Sequence, residues 1–310
     1  MSGISERLPQ GLHLLDLSQP MHGSQYFIAP WFFVDPAGRR VLVDPGPANS
    51  IPTLLKELSY VTDGVDLILL THIHLDHAGG VGLLCECKNF GGAKVVVHPK
   101  GARHLVAPEK LWKASLATLG GVAAMYGEPK PLAPENLADY DDFPEIEVIE
   151  TPGHAPHHMS FIVPLDGDRL FFIGESAGMR IPVESGTQYL RPTTPPRFDA
   201  LAAHESLAKI ESALRDCDLL CYAHWGAVRH FADVAQKSQI AAAGRQLDEW
   251  LDVISKMEGH TVEEIAEYLI SNDPFLAGYS SFFGELRSRE LFYIENSIKG
   301  FLEYLSDSKH

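Results

Sequence analysis

The sequence is short of basic residues. Against 41 aspartates and glutamates it carries 25 lysines and arginines, a formal charge of −16 at pH 7. A surface this acidic repels a phosphate backbone, and no basic strip offsets it, so nucleic acid is not an expected partner. The same charge disfavours docking on anionic lipid. Long apolar runs are missing as well. No window approaches the roughly eighteen apolar residues of a membrane-spanning helix, so no membrane partner is expected. Residues Met1-Ser2-Gly3-Ile4-Ser5-Glu6-Arg7-Leu8-Pro9 hold no apolar stretch for a signal peptide, which makes the cytoplasm the expected location. Cysteine is scarce: Cys85, Cys87, Cys217 and Cys221. Neither close pair has C-x-x-C spacing, which excludes a zinc ribbon or a dithiol redox motif and leaves reduced, buried thiols. There is no P-loop and no G-x-G-x-x-G, so nothing points to a nucleotide.

What is present is a large apolar fraction, 45% of 310 residues, ample for one large core or two smaller ones. The first two thirds alternate short apolar runs with turn residues. Tyr26-Phe27-Ile28, Trp31-Phe32-Phe33-Val34 and Arg40-Val41-Leu42-Val43 read as strands. Ile51, Leu54, Leu55 and Leu58 fall on one helical stripe. Val65-Asp66-Leu67-Ile68-Leu69-Leu70 suits a strand buried on both faces. With the β-branched run Ala93-Lys94-Val95-Val96-Val97-His98 it implies a strand–helix–strand unit. Strands follow at Ile146 to Ile149, Met159 to Val163, Leu170 to Ile173 and Leu219 to Ala223, and Asp199 is placed to cap a helix. Beyond about Arg229 the character changes. Strand signals stop, residues 233 to 257 take helical spacing, Thr261-Val262-Glu263-Glu264 reads as a capping box, and a last helix fits 286 to 305. The expected division is residues 1–230 as the catalytic domain and 231–310 as a helical module.

The informative feature is where histidines and carboxylates fall. His72 and His74 stand two apart at a strand end, so both imidazoles share one face. Asp76 and His77 follow at the turn into a helix. Four such groups in six residues begin two coordination spheres and complete neither. His154, Glu175 and His224 each follow a different strand end, and a sheet whose strand ends gather on one edge would bring them in. The other histidines, His13, His22, His98, His104, His204, His230, His260 and His310, are read as surface or core side chains.

The run Thr71-His72-Ile73-His74-Leu75-Asp76-His77-Ala78-Gly79-Gly80 resembles the signature of the metallo-β-lactamase superfamily. So do Val43-Asp44-Pro45-Gly46, Thr151-Pro152-Gly153-His154-Ala155-Pro156-His157-His158, Gly174-Glu175 and the terminal His224, over roughly residues 20 to 230 and in the family's order. The resemblance implies an α/β fold, a four-layer αββα sandwich, here with a C-terminal helical subdomain. It implies two divalent metal ions, zinc first, with iron or manganese as alternatives. His72, His74 and His154 would hold one ion; Asp76, His77 and His224 the other. Glu175 stands at the bridging position, where the family usually has aspartate. His157 stands where the family more often has glycine. His158 and Asp44 would support the ligands from behind.

The helices after His224 resemble the glyoxalase II and thioesterase-like branch. That points to a metal-dependent hydrolase acting on a thioester, lactone or other ester of a small molecule, with Asp76 handling the proton and no serine or cysteine nucleophile. Arg191, Arg197 and Tyr222 are the candidate substrate contacts, the arginines at the expected cleft mouth. Tyr279, Phe282, Phe283 and Phe292 are candidates to line the pocket or to pack helices. Two alternatives stay open: an iron-dependent oxidoreductase resembling persulfide dioxygenases, and a regulatory binding protein with an incidental metal site. The helices could equally serve a homodimer.

Overall fold

The computed structural model describes residues 8–18, 25–183, 189–216, 218–230 and 237–308; His22, Cys217 and His310 lie outside them, as does the expected helix start at 233. Two sheets carry the chain. The first runs β1 (His13–Leu14), β2 (Trp31–Val34), β3 (Arg40–Val43), β4 (Leu67–Leu69), β5 (Lys94–Val96) and β6 (Leu137–Ala138), adjacent in that order. From β3 to β6 it is parallel, and the crossovers are helical: α1 (Ile51–Leu58) before β4, then α2 (Leu75–Ala78) and α3 (Val81–Glu86) before β5. Three more helices, α4 (Pro99–Val106), α5 (Glu109–Leu119) and α6 (Gly121–Tyr126), precede β6. The second sheet starts with β7 (Glu147–Glu150), β8 (Met159–Leu165) and β9 (Asp168–Gly174). A hairpin of β10 (Met179–Arg180) and β11 (Leu190–Arg191) then leaves it. After α7 (Ala200–Ala213) the sheet resumes with β12 (Leu219–Tyr222) and β13 (Ala227–Arg229), in the order β13-β12-β9-β8-β7. The chain closes with α8 (Lys237–Lys256), α9 (Val262–Asn272) and α10 (Gly284–Asp307).

Side-chain alternation decides the layers. Trp31, Phe33, Val41, Val43, Leu67 and Leu69 of the first sheet meet Phe161, Val163, Leu170, Phe172, Leu219 and Cys221 of the second in one buried cluster. Phe33 stacks on Phe172 with ring centres 5.5 Å apart. The intervening residues, such as Phe32, Leu42, Ile68, Ile162 and Phe171, face outward into an apolar cluster shared with the helices. Helix, sheet, sheet, helix is the αββα sandwich read from the sequence.

The termini of the helices obey their local chemistry. Asp199 accepts the Ala202 N–H at the start of α7, and Thr261 with Glu264 forms a complete capping box on α9. Two readings change. Tyr26-Phe27-Ile28 is a turn with Tyr26 at φ 55°, not a strand, and β13 follows His224 where no strand was read. Among the described residues no helix is long and apolar enough to cross a membrane.

The C-terminal helices share their core with the sandwich. Trp250, Ile254, Ile265, Leu269, Ile294 and Phe301 belong to the same buried cluster as Leu42 and Ile68. Gly300 of α10 lies so close to the Thr194 and Pro195 carbonyls that a Cβ would strike the Thr194 oxygen. Thr194 Oγ1 donates to the Ser297 carbonyl at 3.0 Å, and Ser297 Oγ donates to the Pro192 carbonyl at 3.0 Å. Gly300→Ala therefore forces backbone apart. It should lower stability by about 1–3 kcal/mol, the usual effect of overpacking. A urea midpoint equal to the wild type's would show that this contact does not hold α10.

Candidate metal centre

Strand direction gathers the site. β7 and β9 both run antiparallel to β8, and β12 runs parallel to β9, so β7, β9 and β12 end on one edge. Thr151 to His154 leave β7 there, Glu175 leaves β9, and His224 lies just past β12. The end of β4 meets them from the facing sheet, where the Met159 N–H donates to the Thr71 carbonyl at 2.7 Å. Two groups result. Ligating atoms of His72, His74, His154 and Glu175 lie within 4.8 Å of one another, and so do those of Asp76, His77 and His224.

Glu175 sits between the groups. Its Oε2 lies 2.9 Å from His154 Nε2, 3.2 Å from His72 Nε2 and 3.4 Å from His77 Nε2, and its Oε1 lies 3.1 Å from His224 Nε2. The turn that delivers it is tight. Gly174 has φ 56°, and a Cβ there would strike the His158 ring. That ring instead receives the Glu175 N–H on Nε2 at 3.1 Å. His158 thus orients Glu175 and has no nitrogen left for an ion.

The outer hydrogen bonds decide which nitrogen of each imidazole is bare. The single Thr71 hydroxyl proton goes to Asp44 Oδ2 at 2.6 Å, so Thr71 Oγ1 can only accept from His72 Nδ1 at 3.0 Å. His72 Nε2 is then a lone pair. His77 Nδ1 faces the Asp44 carboxylate at 3.2 Å, His154 Nδ1 the Thr193 carbonyl at 2.9 Å and His224 Nδ1 the Phe27 carbonyl at 2.8 Å. Each partner is an acceptor, so each Nδ1 carries the hydrogen and each Nε2 is free to bind an ion. His74 approaches by Nδ1, 2.9 Å from His154 Nε2. Lone pairs and a carboxylate this close repel unless a proton or cation lies among them. His72 Nε2 and His77 Nε2 are buried without a hydrogen-bond partner, and a bound cation fits that need.

The electrostatics agree. Burial, then the neighbouring His77 and other imidazoles, hold His72 well below the usual histidine range, and burial with His154 does the same for His74. Both are neutral, as ligands must be. Burial also pulls on His77, but Asp76, Asp44 and Glu175 outweigh it and hold His77 well above the usual range. Burial pushes Glu175 up, but His154 and His224 outweigh it and hold the carboxyl well below its usual range.

The substrate candidates do not gather here. Arg191 is buried rather than at the cleft mouth. Its Nε donates to Glu290 Oε2 at 2.8 Å, and its guanidinium lies 4.9 Å from the centre of the Tyr293 ring. Arg197 is exposed with φ 67°. Tyr222 is buried and burial pushes its phenol up to about 12. Phe282 and Tyr279 are packed inside, and Phe283 is 80% exposed. His98 caps α4 by accepting the Lys100 N–H. His157 is half-buried beside His74, and burial pushes it down to about 4.

The sequence reading missed several residues: Thr71 and Thr193, whose oxygens set tautomers, and the turn carbonyl of Phe27. It also passed over Gly174-Glu175-Ser176-Ala177-Gly178, which has the G-x-S-x-G spacing of a serine nucleophile elbow. Ser176 Oγ lies 3.3 Å from His158 Nδ1. Because His158 Nε2 accepts from Glu175, Nδ1 holds the hydrogen and cannot take the serine's proton. Ser176 thus lacks the histidine base of a serine hydrolase.

A model of the metallo-beta-lactamase superfamily matches residues 26–224. The chain belongs to this superfamily. It is 33% identical over 180 residues to a metallo-beta-lactamase fold-containing protein of Sulfurisphaera tokodaii, covering 54% of this chain and 62% of that protein. It is 28% identical over 137 residues to a hydroxyacylglutathione hydrolase of Saccharophagus degradans, covering 42% of this chain and 40% of that enzyme. The matched regions thus span about half the length of these curated relatives. In three dimensions it resembles an archaeal metallo-beta-lactamase superfamily protein from Sulfolobus tokodaii, with TM-score 0.63 at 24% identity, covering 96% of this chain and all of that one. A beta-lactamase domain protein from Burkholderia ambifaria gives TM-score 0.60 at 17% identity, over 98% of this chain and 88% of that one.

Asp44→Asn tests the tautomer scheme. An asparagine would keep the Thr71 N–H bond through its oxygen and turn its amide hydrogens on His77 Nδ1. His77 would then carry its hydrogen on Nε2 and lose its bare nitrogen. The same amide would face Thr71 Oγ1 and free the threonine's proton for His72 Nδ1, so metal affinity should fall about 10–100-fold at both groups. Chelator competition reads this, and unchanged affinity at either group would reject the scheme.

The two groups should also differ with pH. His77 is raised, so it is protonated at neutral pH and a metal must displace that proton. Affinity there should climb as pH rises through the neutral range, releasing about one proton per ion. His72 and His74 are lowered, so they are already neutral and release no proton of their own when an ion binds. Titration calorimetry in buffers of different ionisation enthalpy measures the protons. Equal release from both groups would contradict the assignment.

Proposed function

We propose that the chain is a metal-dependent hydrolase of small-molecule thioesters, lactones or other esters. The observation that carries the reading is the convergence of bare imidazole nitrogens on Glu175, each fixed from behind by an acceptor. Divalent ions in such a donor set polarise a carbonyl oxygen and lower the pKa of water towards neutrality. In this reading His72, His74 and His154 would hold one ion and Asp76, His77 and His224 the other, with zinc the first choice. Glu175 reaches imidazoles of both groups, so its carboxylate would be shared between the two ions.

The chain's own contribution is positioning and proton transfer. Asp76 is partly open, with 16% of its side chain exposed, and lies 3.7 Å from His77 Nε2. Its carboxylate orients the attacking water and takes its proton. Water adds to the acyl carbon, the bond to sulfur or oxygen breaks, and a carboxylic acid and a thiol or alcohol leave. No side-chain nucleophile is needed, and Ser176 is not placed to be one. The relatives called hydroxyacylglutathione hydrolase favour thioesters within this class.

The test is protein purified without added metal, analysed for bound metal and assayed on S-acyl thioesters, lactones and alkyl esters. At least one class should turn over, with activity lost to a chelator and restored by zinc. Full metal with no turnover of any of them would sink the reading. Bound iron with oxygen consumption would replace it with an oxidoreductase.

A further inference from the structure

Two tyrosines approach the Asp76 side of the centre from opposite parts of the chain. Tyr126 ends α6, which packs against α2, the helix that carries Asp76. Tyr293 comes from α10. Their hydroxyl oxygens are 2.7 Å apart. Both positions are held. Asn49 Nδ2 donates to the Met125 carbonyl at 2.9 Å, just before Tyr126. The Tyr293 ring stacks on Phe27 at 5.3 Å, and Phe27 stacks on His224 at 4.5 Å. The Arg191 guanidinium lies over the Tyr293 ring, itself fixed by Glu290.

Two hydroxyls hold two hydrogens. The contact between them uses one, and no other described residue is within hydrogen-bond reach of either oxygen. One O–H is therefore left over on the Asp76 side of the centre. A phenol is neutral at ordinary pH, so each keeps its hydrogen. The pair is a chain: one hydroxyl donates to the other, and the second donates onward. Such relayed donors are strengthened by the first link.

We infer that the Tyr126–Tyr293 pair is the substrate-binding donor of this site, giving its spare hydrogen to the acyl oxygen as negative charge develops there. The substrate class rests on the hydrolase reading above; the donor rests on the hydroxyl pair. A neutral donor aimed at a developing oxyanion in a water-poor site acts more on the transition state than on the ground state.

The probe is a methyl alkylphosphonate, a tetrahedral oxyanion, titrated by calorimetry into metal-loaded wild type, Tyr126→Phe, Tyr293→Phe and the double variant. Phenylalanine keeps both rings, and unchanged metal content confirms an intact centre. A relay predicts unequal singles. Removing the terminal hydroxyl should weaken phosphonate binding about 10–100-fold, and removing the inner one less. The double variant should match the worse single. In turnover, kcat should fall with little change in KM. Wild-type phosphonate affinity in the double variant would overturn the donor, as would a wild type that binds no phosphonate. If the wild type hydrolyses thioesters or esters and the double variant is unaffected in both assays, the donor falls and the hydrolase reading stands. If no ester is turned over yet the double variant loses phosphonate affinity, the hydrolase reading falls and the donor stands.

Discussion

Bare imidazole nitrogens packed around a carboxylate repel one another, and the structure around this site is arranged to hold them there. A buried polar atom with no partner costs about 1–3 kcal/mol. His72 Nε2 is in that state, and His77 Nε2 leaves it only by taking up a proton or a cation. Set against the 5–15 kcal/mol that stabilises a typical domain, this is a large local penalty. It is tolerable because the outward nitrogens are satisfied by fixed acceptors: the Thr71 hydroxyl, the Asp44 carboxylate and the carbonyls of Thr193 and Phe27. The same bonds that offset the penalty also choose the tautomer. Stability and ligand competence are set by one group of contacts.

Those acceptors come from four separate loops, and the sheets bring the loops together. Parallel β7, β9 and β12 put three ligand-bearing turns on one edge. The Met159 to Thr71 bond ties the β4 turn of the facing sheet to the same edge. Asp44 illustrates the demand on local backbone. It sits at φ 51° directly after β3, a conformation aspartate tolerates better than most residues. From there its two oxygens reach the Thr71 N–H, the Thr71 hydroxyl and His77.

The strands and the cluster of histidines and carboxylates were legible because both are written in local pattern, and the resemblance supplied the sandwich. Alternation in Trp31 to Val34 or Leu170 to Ile173 predicts a two-faced strand, and histidines spaced by two at a strand end predict a shared face. Asp44 and His158 were legible as support through the resemblance of the turns that carry them. Thr193 and Phe27 were not, since a backbone carbonyl exists at every residue and its direction depends on tertiary placement. The Phe27 turn even reads as a strand, because aromatic and β-branched composition is shared by strands and buried turns. Arg191 misled for a related reason. A basic residue in a proline-rich stretch looks exposed, yet its charge is answered by Glu290, about a hundred residues away in sequence and invisible until α10 folds back.

That fold-back changes what the C-terminal helices are. His224 owes its tautomer to the Phe27 carbonyl, and the Phe27 ring is held between His224 and Tyr293 of α10. Arg289 of the same helix lies 4.8 Å over the Phe27 ring and donates to the Gln25 carbonyl at the base of the turn. The turn that orients a metal-facing histidine is therefore itself shaped by the last helix. A helical addition that only covered the cleft would leave the ligands intact if it moved. Here the Asp76, His77 and His224 group depends on α10 through one aromatic stack, and the loop whose Thr193 carbonyl orients His154 is tied to the same helix by Ser297 and Gly300. Each half of the centre has an acceptor braced by α10, so movement of that helix would disturb both.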